Sequence, residues 1–292
     1  MGSVLKIGEF SSEKQLKGEG IMNSPAEVAK NYVNIGKGKV NTPIAKMFVL
    51  AIMAGAFIAL AGVGSGAASC VIENASAAKF VGACVFPGGL AMVLLAGSEL
   101  FTGNNLLIIP LLEKEVDIAG VLRNWCVVYL GNLVGSLAVA GLAVASGQVN
   151  LYGGAVATGA ISTAIAKCSM PFMQAVLKGI GCNFLVCIAV WMSFAAKDVA
   201  GKIIGLFFPI MLFVVSGFEH SVANMYYIGI GLFAKANPAL AEAAVAAGKD
   251  LTNLTWGNFF IKNLLPVTIG NIIGGALCVG LPYWFIYLKK NK

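Results

Sequence analysis

Between about residue 44 and residue 288 the chain alternates long apolar runs with short polar interruptions. Six runs, at about 44–68, 79–112, 117–146, 170–196, 203–235 and 256–288, are each long enough to cross a hydrocarbon core that needs about 20 helical residues. The pattern predicts an all-α integral membrane protein with six transmembrane helices spanning a lipid bilayer. Residues 25–43 mix polar and apolar positions as an amphipathic helix against a membrane surface does. Residues 1–24 form a polar N-terminal leader without the apolar core of a signal peptide, and 289–292 form a basic C-terminal tail. The connection at about 236–255 reads as polar.

Two of the runs are interrupted at their centres. Gly97-Ser98-Glu99-Leu100-Phe101-Thr102-Gly103-Asn104 breaks the second, and Gly217-Phe218-Glu219-His220-Ser221-Val222-Ala223-Asn224 breaks the fifth with the same spacing of glycine, glutamate and asparagine. The echo continues: Asn124 and Gly131-Asn132-Leu133-Val134-Gly135 match Asn263 and Gly270-Asn271-Ile272-Ile273-Gly274, and Lys39 with Pro43 matches Lys167 with Pro171. Paired, glycine-interrupted segments in two halves point to inverted repeats with a site near the midplane. The expected protein is therefore two inverted three-helix repeats, about 37–146 and 165–288, with helices two and five broken. Pro87-Gly88-Gly89 adds a kink or break in the second run, and Gly201 and Pro209 flank or bend the fifth.

Composition supports the membrane reading: 58% hydrophobic residues, 11% charged and a mean hydropathy of +0.84 leave too little polar surface to cover a soluble globule. The formal charge of +7 does not point to nucleic acid, because the basic residues are scattered at span ends instead of forming a patch. An even number of spans puts both termini on one side. That side receives eleven basic residues from Lys30 to Lys292, against six (Lys79, Lys167, Lys178, Lys235, Lys249 and Lys262) on the other. The positive-inside rule then makes both ends cytoplasmic and the protein a multi-pass component of the cytoplasmic (inner) membrane. The seven cysteines include no C-x-x-C pair, so they read as small core residues and not as metal ligands or a disulfide framework. No phosphate loop, nucleophile triad or zinc-type cluster is present, which argues against an enzyme and calls for no metal or cofactor.

The candidate chemistry gathers at the breaks. His220, the only histidine, sits beside Glu219 in a long apolar segment, where ionisable groups are expensive and so mark function. With a reference pKa of about 6.5, an imidazole can give a hydrogen bond or a proton near physiological pH. Glu99 and Glu219, with Asn104 and Asn224, are expected to support the breaks by satisfying freed backbone N–H groups. Thr102 suits both a pore role and a helix cap. Asn132 and Asn271 are repeat equivalents, so at least one is expected only to bond neighbouring helices.

Leu95 to Gly103, Ser216 to Met225, Gly181 to Cys187 on the fourth run and Asn263 to Gly275 on the sixth closely resemble the motifs of the formate/nitrite transporter family, including its hydrosulfide-conducting branch. The resemblance extends from about Ala26 to Leu288. It implies an aquaporin-like protomer, a homopentamer with one pore per protomer, and conduction of small monovalent weak-acid anions, with hydrosulfide the first choice and formate or nitrite next. Position by position, it implies His220 at the pore centre opposite Thr102, with Asn183 and Asn271 beside them. It places Phe86, Leu90, Leu100 and Phe213 at apolar constrictions, Lys167 in the outer vestibule, and Lys37 or Lys39 in the inner one. The alternative is an aquaporin-like pore for neutral solutes, against which the lack of a paired Asn-Pro-Ala signature counts.

Overall fold

The computed structural model describes residues 22–289; most of the leader and the last three residues of the basic tail lie outside the described residues. The described chain is all-helical, with a single isolated bridge between Met22 and Ala196 in place of any strand. Its helices are α1 (Pro25–Asn41), α2 (Ile44–Ser69), α3 (Ala75–Leu95), α4 (Gly103–Leu112), α5 (Ile118–Ala145) and α6 (Leu151–Cys168) in the first part. Then follow α7 (Phe172–Ala195), α8 (Val199–Val215), α9 (Ser221–Ala236), α10 (Pro238–Ala246) and α11 (Trp256–Tyr287).

Helix α1 begins in a capping box: the Ser24 hydroxyl accepts the Glu27 N–H at 3.3 Å while the Glu27 carboxylate accepts the Ser24 N–H at 2.7 Å. It carries Lys39 in its last turn, and Pro43 opens α2. Helix α6 repeats that ending, with Lys167 in its last turn and Pro171 opening α7. The six spans are then α2, α3 with α4, α5, α7, α8 with α9, and α11. Helix α10 apart, the two halves correspond element by element.

Two expectations about the elements need correction. The apolar pattern passed over α6, because the stretch Gln148–Cys168 has a mean hydropathy of 1.2 against 1.8 to 2.3 for the other long apolar helices. Its first turn is irregular as well, with Tyr152, Gly153 and Gly154 in left-handed conformations. The connection at 236–255 holds α10, capped by the Asn237 side chain with Pro238 at its first position. At Pro87, where a kink or break is expected, Phe86 keeps helical dihedrals of −60° and −32°, so α3 runs on through the proline.

The true breaks follow α3 and α8. In each the chain turns through a left-handed glycine, Gly97 at φ +78° and Gly217 at φ +70°, which costs a residue without Cβ little. Around the breaks α2 packs along α5, and α7 along α11. These pairs approach backbone to backbone: a Cβ on Gly135 would run into the Ile52 carbonyl, and one on Gly274 into the Ile180 carbonyl. In a bilayer such close packing takes the place of hydrophobic collapse. Two π-helical stretches, Phe259–Leu264 and Ile273–Gly280, flank the segment of α11 that carries Asn271.

Large apolar side chains such as Leu142 and Ile261 cover the periphery, 63% and 66% exposed, as a surface against lipid or other apolar partners requires. Only part of the cysteine expectation holds. Cys168, Cys182 and Cys187 are buried, whereas Cys126 and Cys278 are exposed on this apolar periphery.

Gly135→Ala or Gly274→Ala should therefore destabilise the protein by overpacking, by about 1–3 kcal/mol. Thermal unfolding in detergent, followed by loss of the monodisperse peak, checks this, with the open-sided Gly66→Ala expected to behave as the parent.

Candidate functional site

Breaking a helix inside a membrane frees backbone groups that lipid cannot satisfy. At the first break Asn132 of α5 takes over: its amide donates to the carbonyls of Ala51 (2.8 Å) and Glu99 (2.9 Å), and its oxygen accepts the Phe101 N–H at 2.9 Å. Asn271 of α11 does the same at the second. It donates to Gly179 (2.9 Å) and Glu219 (3.0 Å) and accepts the Ser221 N–H at 2.9 Å. Both asparagines are thus helix-bonding residues at equivalent positions, each fully buried.

The two glutamates bond side chains at the breaks and not the freed backbone N–H groups expected of them. The Glu99 carboxylate accepts from Lys39 Nζ at 2.8 Å and from Asn104 Nδ2 at 2.7 Å, and Asn104 also donates to Asn124 at 2.9 Å. The Glu219 carboxylate accepts from Lys167 Nζ at 2.8 and 2.9 Å and from Asn224 Nδ2 at 2.6 Å, and Asn224 donates to Asn263 at 2.8 Å. Each loop then closes on the backbone, Asn124 donating to the Lys39 carbonyl at 3.4 Å and Asn263 to the Lys167 carbonyl at 3.0 Å. The physical reason is burial. Carboxylates only 7% and 5% exposed need an ammonium partner more than they need backbone donors, which the two asparagines already hold.

This also separates the two lysines of α1. Lys39 reaches the break, whereas Lys37 pairs at 2.8 Å with Glu115, both side chains about half exposed.

At the centre His220 caps α9. Its Nδ1 accepts the Ala223 N–H at 3.0 Å, so the ring proton resides on Nε2 and points to Thr102 Oγ1, 2.9 Å away. Thr102 makes no side-chain cap of its own helix; of the two roles its type suits, the structure gives it the contact with His220. Phe213 stacks on the imidazole at 5.8 Å, and Phe86 meets Phe213 edge-on at 5.8 Å. Asn183 ties the centre to the second break by donating to the carbonyls of Thr102 (3.2 Å) and Asn271 (2.7 Å).

Two cavities approach this centre. One of about 330 Å³ has Lys39 and Glu99 on its wall and reaches Leu90, Leu100 and Gly103. The other, of about 620 Å³, has Lys167 and Glu219 on its wall and reaches Phe86, Phe213 and His220. All four of those apolar residues are nearly inaccessible, at 2–3% exposure. The arrangement can admit an anion to the Lys167 cavity, which Lys79 and Lys178 also line, and offer it a donor at the centre, behind apolar side chains that exclude its water.

Sequence reasoning did not single out Tyr227, whose ring lies 5.7 Å from the Lys167 ammonium, or Asn105, which receives a bond from Asn183 at 3.3 Å. Asn124 and Asn263 were visible only as members of the repeat. Their roles at the breaks could have been read from it, since a polar residue repeated at one position in two apolar helices is seldom idle.

The sequence profile described as formate/nitrite transporter matches residues 26–285. The chain belongs to the formate/nitrite transporter family. Relatives in the family include a probable formate transporter of Methanothermobacter thermautotrophicus, 40% identical over 91% of this chain and 98% of the relative. The formate channel FocA of Escherichia coli (strain K12) is 39% identical over 91% of this chain and 95% of its own length. A solved pentameric formate channel with formate bound superposes with a TM-score of 0.75 at 36% identity, covering 84% of this chain and 98% of that one. These family members are channels and transporters, and this chain is an integral membrane protein of the same kind, not an enzyme.

Removing one partner of a buried ion pair while leaving the other charged is expected to cost about 3–5 kcal/mol. Lys167→Met should therefore strip Glu219 of its cation and sharply lower heat resistance in detergent. Adding Glu219→Gln to that variant should restore most of it.

Proposed function

We propose that the protein conducts small monovalent anions of weak acids across the cytoplasmic membrane, as a homopentamer with one pore per protomer and both termini cytoplasmic. The observation that carries this reading is the Thr102–His220 contact at 2.9 Å, placed where two lysine-bearing cavities converge. Formate stands first among the ions, because relatives at 39–40% identity bear that name. Hydrosulfide and nitrite share its chemistry, and no lining residue selects between them.

A bare anion entering an apolar passage loses hydration worth on the order of 20 kcal/mol by the idealised Born estimate. Lys79 and Lys178, which line the larger cavity beside the paired Lys167, raise its local concentration there. As it loses water between Leu90 and Leu100 on one side, or Phe86 and Phe213 on the other, a weak-acid anion gains basicity and takes a proton from vestibule water. His220 assists by offering its Nε2–H, swapping Thr102 for the substrate oxygen. With Nδ1 engaged by the Ala223 N–H, the neutral ring donates a hydrogen bond and keeps its proton. Chloride and nitrate, whose acids are too strong to be protonated this way, are left behind.

Reconstituted liposomes should take up formate, and more slowly or faster hydrosulfide or nitrite, at rates that rise from pH 8 to pH 5, with chloride and nitrate at least about tenfold slower. His220→Asn keeps a side chain that caps helices well but shortens the reach to Thr102, so it should fold and take up formate several-fold more slowly across the whole pH range. Flux indifferent to pH and to His220, or rapid chloride passage, would overturn the reading. Glycerol-driven swelling without anion flux would favour the neutral-solute pore.

A further inference from the structure

The two vestibules are built by equivalent halves, yet they differ in charge. The register is fixed by paired bonds: the Glu99 N–H donates to the Leu50 carbonyl at 3.2 Å, and the Glu219 N–H to the Lys178 carbonyl at 3.2 Å. Lys178 therefore stands where the first repeat has Leu50. The offset that matches Glu99 with Glu219 likewise matches Lys79 with Val199.

Leu50 lines the Lys39 cavity, whose lysine is neutralised by Glu99. Lys79 and Lys178 line the Lys167 cavity, whose lysine is neutralised by Glu219. Among the described residues neither Lys79 nor Lys178 belongs to an ion pair. The larger vestibule thus carries two uncompensated ammonium groups, and the smaller one carries none.

We propose that Lys79 and Lys178 form a capture site for small dianions, dicarboxylates or divalent oxyanions, and that a dianion held there blocks the pore from the Lys167 side alone. Two ammonium groups in one cavity match two negative charges. A cavity of about 620 Å³ admits such a molecule with part of its water. It goes no further, because the desolvation penalty grows with the square of the charge, and a dianion needs two protons to become neutral. A monoanion is concentrated by the same lysines and moves on. The block rests on the conduction reading; the binding does not.

The test uses the full-length protein and malonate as the probe. Isothermal titration in detergent at low ionic strength should show malonate binding to the parent. Lys79→Val with Lys178→Leu, which installs the residues of the other repeat, should bind at least about tenfold more weakly, as the loss of two nearby charges in a water-filled site requires. Lys79→Arg with Lys178→Arg should retain binding. In liposomes that hold the protein in one orientation, malonate should slow formate uptake when present on one face only, and the Val/Leu variant should lose that block. Equal affinity in parent and Val/Leu variant, no binding to the parent, or equal block from both sides would overturn the proposal. Malonate binding that depends on the two lysines, in a protein that passes no formate, would uphold the capture site and sink the conduction reading instead.

Discussion

A broken helix in a bilayer is the constraint on which the rest of this structure depends. Lipid offers no hydrogen bonds, so every peptide group freed at Gly97 and Gly217 must find a partner in the protein. Asn132 and Asn271 supply it, each bridging its own break to the neighbouring span. That requirement explains why α2 and α5, and α7 and α11, must pack closely enough for glycines to meet carbonyls. An asparagine side chain is short, and it reaches two backbones only if they nearly touch.

The same constraint couples fold to chemistry at His220. Capping α9 occupies Nδ1, and this local task decides which nitrogen holds the proton and hence what the ring can give. Protonating Nδ1 would set one N–H against another and uncap the helix. The residue is thus held as a neutral donor by the need to start the second half-helix properly. Stacking against Phe213 fixes the ring plane, leaving the Nε2–H aimed at Thr102.

Much of the fold was legible because lipid makes polar residues rare in spans, so a repeated Gly, Glu and Asn stands out against an apolar background. The six spans and both breaks followed from that. Helix α6 did not, since its alanine, glycine and threonine content resembles a loop as much as a helix, and only the Lys167–Pro171 echo of Lys39–Pro43 hinted at it. The role of Glu99 and Glu219 was misread for a different reason. Sequence shows a carboxylate near freed N–H groups, but the lysine that claims it lies 60 residues away in one repeat and 52 in the other. Lys37 and Lys39 likewise became distinguishable only once the helix phase of α1 sent one to Glu115 and the other to the break.

The inverted repeat also says where to look for function. Residues that the two halves share, such as the Lys-Glu-Asn-Asn loops, are needed twice and hold the breaks open. The central contact is different in kind: the counterpart of His220 is Leu100, and the counterpart of Thr102 is Val222. Symmetry would have put either two histidines or two leucines at the crossing point. Two imidazoles would each need a cap and an acceptor in the same small space; two leucines would offer an anion nothing. One donor from one repeat facing one hydroxyl from the other gives a single polar step with apolar residues on both sides. Breaking the symmetry at that point is what turns a self-bracing scaffold into a site.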